Sequence, residues 1–397
     1  MINIEEPKHG IEAFWSKAFR VFFTAAATYA VVNMLVWLAT LAWSWQPDAG
    51  QLSLFQWHAH ELLWGYATAV IAGFLLTAVG NWTGHPTAAP QVLQVMLGAW
   101  LLARIGWLLG GHWLWLGATA DVIFLALLNG VFIRPVWLAK QRRQGGIVAK
   151  LILLLVANLM VSASALGLVD NVYAWAEGGV FLGLFSIVGL LLTFLRRVYP
   201  FFVRAASGGK VQLSSPVWID RASLVVFLVF LIVFFAWPGE LVVALTAAAL
   251  VLVLGARLVT WHDKSIWRVP LLWSLYLGLA MIVLGAALLS LSYWYPSLYF
   301  SGIHAWSMGG LGMITLGMML RVGLGHTGRN VRQPRLWLWL SLVPMLVAVL
   351  LRIFTPILAD QWVAAGFILS QISWTLAFVV MIFCLVPVFF KANQQGL

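Results

Sequence analysis

Long apolar stretches recur along this chain of 397 residues at a spacing that few folds can use. A hydrocarbon core of about 30 Å takes about 20 apolar residues as one helix. That ruler predicts twelve spans, at approximately 18–43, 57–80, 90–109, 112–134, 148–168, 176–197, 217–237, 240–260, 269–292, 302–322, 335–354 and 362–390. The breaks between them carry helix-stopping residues: Gly84-His85-Pro86, Gly110-Gly111, Tyr199-Pro200, Trp237-Pro238-Gly239 and Tyr295-Pro296. The expected fold is therefore an all-α polytopic membrane helix bundle of about twelve transmembrane helices. Composition excludes the soluble alternatives. Apolar residues make up 63% of the chain and charged ones 9%, against roughly 45–50% and about 25% in soluble domains. That balance leaves no room for a cytosolic enzyme, a disordered chain or a nucleic-acid binder.

The net charge of +11 follows from topology and needs no polyanion partner. Basic residues cluster at Arg134 through Arg143, Arg196 through Lys210, Arg257 through Arg268 and Arg321 through Arg335. With twelve spans, each cluster falls on the side of the N-terminal tail and of Lys391. Of the 23 basic residues, only Arg104 and Arg352 lie off that side, whereas Asp48, Asp170, Glu177, Glu240 and Asp360 occupy the opposite loops. The positive-inside rule then puts both termini in the cytoplasm. The N-terminal tail, with Glu5, Glu6, Lys8, Glu12 and Lys17, lacks the pattern of a cleaved leader and reads as retained. The chain reads as a single membrane domain, 1–397, with possible halves 1–205 and 206–397 joined near Ser207-Gly208-Gly209. Spans two and ten share a weak pattern of early His and terminal Thr-Gly.

Cys384 is the only cysteine, which excludes a disulfide framework, an iron–sulfur cluster and a Cys-based zinc site. Any metal would be held by imidazole, carboxylate, thioether or backbone oxygen. Ionisable groups inside a bilayer are costly and mark functional sites by default. The histidines fall into two tiers. His58, His60, His112 and His304 begin spans at the outer face; His85, His262 and His326 end spans at the inner face. Trp57-His58-Ala59-His60-Glu61 brings two imidazoles and a carboxylate to one helix start. Positions i and i+2 diverge by about 200° on a regular helix, so the two rings converge only if the segment is irregular or they serve different ligands. Gly302-Ile303-His304-Ala305-Trp306 supplies a third imidazole, with Met308 one turn away as a soft donor suited to Cu(I). The outer tier taken together points to metal binding, with capping or interfacial roles as the alternative for each residue singly.

The inner tier, Gly80 through Pro86 and Gly325 through Asn330, reads as glycine-terminated helices entering basic loops. A second cofactor-ligand layer is the alternative there. Arg104 on span three and Asp121 on span four are expected to form an ion pair. Arg104 and Arg352 also have the placement to meet anionic groups of a cofactor. Asn129 and Asn158 read as interhelical hydrogen bonds. The glycines of span ten read as close helix packing, with room for a flat macrocycle as the alternative.

These motifs resemble a known family. His58-Ala59-His60-Glu61, Ile71 through Ala78 and Asn81-Trp82-Thr83-Gly84 resemble one signature of the NnrS family. Gly302 through Gly309 and Leu324 through Arg329 resemble the other. The resemblance implies a twelve-helix, multi-pass protein of the bacterial inner membrane that contains haem and copper and acts in denitrification and nitric oxide resistance. Its motif histidines correspond to His58, His60, His304 and His326, and to His85. The resulting expectation is a b-type haem ligated by outer-tier histidine near a second metal, copper or non-haem iron, held by the other imidazoles. His58, His60 and His304 are the metal-ligand candidates, with Arg104, Arg352, His85, His326 and Met308 as cofactor-binding candidates. Nitric oxide partitions into the lipid bilayer, so a membrane-embedded site needs no polar channel. Reduction of NO to N2O there makes the protein a possible nitric oxide reductase. Glu61 would be the proton donor if burial raised its pKa, and a quinol or cytochrome the electron donor. A secondary transporter and a haem-binding sensor or assembly protein are the competing classes.

Overall fold

The computed structural model describes residues 9–43, 45–333, 335–358 and 360–393. Glu5, Glu6 and Lys8 of the tail lie outside the described residues. Among the described residues, twelve helices are long and apolar enough to cross a membrane. They are α1 (Ala18–Thr40), α2 (Leu54–Thr83), α3 (Pro90–Leu109), α4 (Gly111–Leu138), α5 (Arg142–Ala165) and α6 (Val172–Ala206). The series continues with α7 (Val217–Ala236), α8 (Leu241–Thr260), α9 (Pro270–Leu291), α10 (Pro296–His326), α11 (Leu336–Leu358) and α12 (Val363–Phe389). No strand occurs among the described residues. Hydrocarbon offers no partner for a backbone amide, so each segment satisfies its own as helix. The chain is a multi-pass membrane protein.

Two compact units emerge from the packing. The first comprises 1–187, 319–331 and 378–397; the second comprises 188–318 and 332–377. In the first unit α2 is the central helix, buried over most of its length. Its neighbours α3 and α4 meet at Gly106 and Gly117, where a Cβ on Gly106 would run into the Gly117 backbone. Arg20 of α1 closes the end of α12 by donating from Nη1 to the carbonyls of Phe389 at 2.6 Å and Lys391 at 3.0 Å, a cation placed where a helix C-terminus leaves unpaired acceptors.

In the second unit α10 is the most enclosed helix. Its glycines are packing surfaces. A Cβ on Gly309 would stand 2.7 Å from Met281, one on Gly310 2.6 Å from Ile282 and one on Gly312 2.8 Å from Trp374. Asp220, at the start of α7, pairs with Arg257 at 2.8 Å and Arg196 at 3.1 Å.

One local feature had no expectation attached to it. Both α2 and α10 depart from α-helical geometry directly after a motif histidine: Glu61–Ala67 and Ala305–Gly312 are π-helical. Such turns carry i→i+5 bonding and recur at functional sites. The likeness between spans two and ten therefore extends to their backbones.

Candidate functional site

Ser53 opens α2 with a capping box: its hydroxyl accepts from the Gln56 amide while the Gln56 side chain accepts from the Ser53 amide. One turn on, Trp57 is anchored by donation from Nε1 to the Trp107 carbonyl, 3.1 Å away. These contacts set the register that carries His60 and Glu61 into the interior, where both are 0% exposed.

Five helices meet around that pair. Arg104 of α3 donates from Nη1 to Oε1 of Glu61 and from Nη2 to Oδ1 of Asp121 on α4. The Tyr29 hydroxyl, on α1, donates to Oε2 of Glu61. Trp107 Nε1 donates to Oδ2 of Asp121 at 2.8 Å. His60 Nδ1 lies 2.8 Å from Glu61 Oε1, and its Nε2 lies 3.3 Å from Asn158 Nδ2 on α5 and 3.5 Å from Asp121 Oδ2. The His60 ring is sandwiched, with centroids 4.0 Å from Trp107 and 5.0 Å from Trp64. A charge in so apolar a setting must be compensated. Here one guanidinium serves two carboxylates and a phenol, an imidazole and an indole take up the remaining acceptor positions. Glu61 is thus an ion-paired acceptor and not an isolated buried acid.

The expected Arg104–Asp121 pair is present, and Glu61 joins it. Both Nη atoms of Arg104 are on protein carboxylates, and its Nε has no hydrogen-bond partner among the described residues. Asn158 makes the interhelical contact expected of it, with His60 as partner. Tyr29 and Trp107 carried no usable signal in the sequence, since each is one aromatic residue among many in an apolar run. The π turn of α2 brings Gly65 against Tyr29 and Arg104: a Cβ there would overlap the Tyr29 ring and stand 3.1 Å from Arg104 Nη1.

His58 takes a different position from its neighbour. It is half-buried and its ring stacks on Trp37 of α1, centroids 4.1 Å apart and planes at 27°. The divergence follows from α-helical geometry over Leu54–His60. In the second unit, His304 is half-buried and its Nδ1 lies 2.7 Å from the Phe300 carbonyl oxygen. Met308 is half-buried too, and its sulfur lies 3.9 Å from the Ser370 hydroxyl. Arg352 places its guanidinium over the Phe367 ring, 3.6 Å from the centroid. Among the described residues, no three His, Cys, Asp or Glu side chains form a group that could hold a metal ion.

At the ends of α2 and α10, glycines terminate the helices as expected. Gly84 adopts φ +72° and its amide donates to the Gly80 carbonyl at 2.8 Å. Gly328 adopts φ +75°, and the Arg329 amide donates to the Leu324 carbonyl at 2.9 Å. This is the left-handed ending that glycine allows. His85 is half-buried beside Gly84, and His326 is exposed with its ring 5.7 Å from that of Phe19. His112 is exposed next to Trp113, while His262 accepts from Trp267 Nε1 at 3.2 Å.

A family model described as NnrS protein matches residues 13–392. No curated protein matches the sequence.

Proposed function

The chain belongs to the NnrS family, and from that membership we propose a haem- and metal-binding protein of the bacterial inner membrane that handles nitric oxide. The family links it to the nitric oxide response. The finer reading, resistance to nitrosative stress by reduction of NO to N2O, is our own. Both termini are cytoplasmic in this reading, from the distribution of Lys and Arg.

The observation that carries the metal reading is the pinning of imidazoles through Nδ1. A ligating histidine usually donates its other ring N–H to a carbonyl or carboxylate, which fixes the tautomer and aims Nε2. His304 has that arrangement with the Phe300 carbonyl; Glu61 pins His60 Nδ1 in the same way, but its Nε2 faces Asn158 at 3.3 Å in a fully buried setting. Single imidazoles so aimed fit a haem, whose macrocycle supplies the remaining nitrogens. A copper or non-haem iron cage of three such side chains does not fit, because the described residues bring no such set together. A second metal would need other donors beside imidazole, such as the Met308 thioether. When bound, haem iron supplies a site for NO and a path for the electrons that convert two NO, two protons and two electrons into N2O and water.

The chain's own residues have defined tasks in this reading. His304 and His58 are ligand candidates at the starts of α10 and α2. His60, its ring held between Trp107 and Trp64 and its Nε2 turned to Asn158 at 3.3 Å, would become a ligand only by giving up that contact. Arg104 is the cation shared by Glu61 and Asp121 and so sets the electrostatics around His60. Tyr29, His60 and Arg104 carry the exchangeable protons nearest Glu61. Arg352, partly buried beside Phe367, is the cation available to an anionic cofactor group.

The test is a visible spectrum and metal analysis of protein purified in detergent, followed by NO consumption with a chemical electron donor. A Soret band with stoichiometric iron and NO-dependent N2O release is the expected result. Protein without a Soret band, from cells supplied with haem precursor, would overturn the reading and favour transport.

A further inference from the structure

At one end of the first unit, where α1 begins and α10 and α12 finish, four cations and an imidazole gather from three distant stretches of sequence. They are Lys17, Arg20, His326, Arg329 and Lys391. Phe19, fully buried, sits at the centre of the group. Its ring centroid stands 5.7 Å from that of His326 and 5.8 Å from the guanidinium carbon of Arg20, so at most the sum of those distances separates the two. Arg20 is tied to the residue after next beyond α12 by its bond to the Lys391 carbonyl at 3.0 Å. The charge of Arg329 acts on Arg20, and that of Lys17 on His326. Lys17, His326 and Lys391 are exposed and Arg329 is half-buried, so the cluster can be reached from outside the protein.

No carboxylate answers these charges. Among the described residues, none of Lys17, Arg20, His326 and Lys391 forms an ion pair. Of the acidic residues described in this unit, Asp48, Asp170 and Glu177 lie toward the opposite end, and Glu61 and Asp121 belong to the Arg104 cluster; only exposed Glu12 shares this end. Capping of helix ends occupies two of the cations, Arg20 on the Phe389 carbonyl and Arg329 on the Thr327 carbonyl at 3.1 Å. Like charges this close lie within a Debye length of about 10 Å and repel one another. An anion among them would relieve that repulsion.

The surroundings favour a lipid as the source of the anion. The short helix Gly10–Trp15 lies against the end of α12, with the Gly10 amide donating to the Phe390 carbonyl at 2.8 Å and the Phe14 ring stacked on that of Phe390 at 4.7 Å. Ile11 on this helix is 60% exposed, and Phe390, next to Lys391, is 37% exposed. Exposed apolar side chains beside cations, at the end of membrane-length helices, match the boundary between lipid headgroups and acyl chains.

We propose that this cluster seats the phosphate of an anionic phospholipid, with Lys17, His326 and Lys391 as its contacts, Arg20 and Arg329 as fixed charges behind them, and the acyl chains against Phe390 and Ile11. The seat gives a task to the Gly325-His326-Thr327-Gly328-Arg329 motif, and it depends on neither haem nor nitric oxide.

Native mass spectrometry of the full-length protein in detergent measures binding of dioleoylphosphatidylglycerol, with dioleoylphosphatidylcholine as a zwitterionic lipid of equal chains. The anionic lipid is expected to bind about tenfold more tightly, or better. Each cation at a headgroup is worth about fivefold in affinity, so Lys17→Gln with Lys391→Gln is expected to weaken it more than tenfold. Both side chains are exposed, so the unfolding midpoint is expected to stay at the parental value, and Lys17→Arg with Lys391→Arg is expected to retain binding. Arg142→Gln with Arg143→Gln removes the same charge from the exposed start of α5 and is expected to leave binding nearly unchanged. Equal weakening by the two glutamine pairs would reduce the effect to general attraction by a basic surface and overturn the proposal, as would equal affinity for the two lipids. Displacement of the anionic lipid by inorganic phosphate at equal concentration would also overturn it and mark a site for a free anion.

Discussion

Trp100 Nε1 lies 2.9 Å from the carbonyl oxygen of Gly65, so an indole from α3 is hydrogen-bonded into the π turn of α2. A wide turn persists where side chains from neighbouring helices take up its backbone groups. The same turn presses Gly65 against the Tyr29 ring, which leaves no space for a methyl group.

Gly65→Ala is therefore expected to lower stability by about 1–3 kcal/mol through overpacking. Trp100→Phe is expected to cost about 0.5–1.5 kcal/mol for the lost hydrogen bond. Thermal unfolding in detergent reads both. An unchanged midpoint for Gly65→Ala would show that the turn can relax away from Tyr29.

Removing Arg104 leaves Glu61 and Asp121 as buried carboxylates with no cation between them. Arg104→Gln is expected to lose about 3–5 kcal/mol, the usual result of breaking a buried pair from one side. Adding Glu61→Gln and Asp121→Asn to it is expected to restore part of the loss, since neutral amides need no counter-ion. A triple variant less stable than the single one would mean that the carboxylates have other partners to lose.

Histidines separate into two groups by what surrounds them. His58→Ala and His304→Ala are expected to diminish the Soret band of the purified protein while the unfolding midpoint stays within a few degrees. His60→Ala is expected to lower the midpoint as well, because it opens a space between Trp107 and Trp64 and takes a donor from Glu61. Spectra and unfolding curves on the same preparations check the pattern, and three variants with parental spectra would remove histidine ligation from the proposal.

Topology offers an independent check. A fluorescent protein fused after residue 397 is expected to mature and glow, and a periplasm-dependent phosphatase at the same place to stay inactive. The reverse pattern would invert the assignment of the basic loops.

Much of the fold is legible in the sequence. Eleven boundaries could move by several residues and the count of twelve would stand, because Gly84, Gly110 and Pro296 interrupt apolar stretches too long to be one helix. α6 runs further than hydropathy suggests, from Val172 to Ala206, since its basic end at Arg196 and Arg197 continues as helix past the apolar stretch and Pro200 is accommodated within it. The π turns had no signature. Each lies at a helix contact made by a tryptophan, Trp100 donating to the Gly65 carbonyl inside the first turn and Trp306 of the second turn donating to the Ile282 carbonyl of α9, and neither contact can be read from a single segment. The candidate site was half legible. His58, His60, Glu61, Arg104 and Asp121 stand out as polar residues in apolar surroundings; Tyr29 and Trp107 do not.

The amino-acid order alone determined that this chain crosses a membrane twelve times, because a bilayer acts as a solvent that tests each stretch of about 20 residues separately. Which polar groups answer one another was decided only by tertiary structure. Glu61 meets Arg104 across 43 residues of chain, Asp121 meets it across 17, and Tyr29 reaches Glu61 across 32. Hydropathy and periodicity act along one helix at a time, whereas these pairings depend on how five helices turn their faces toward one another, and that is set by packing.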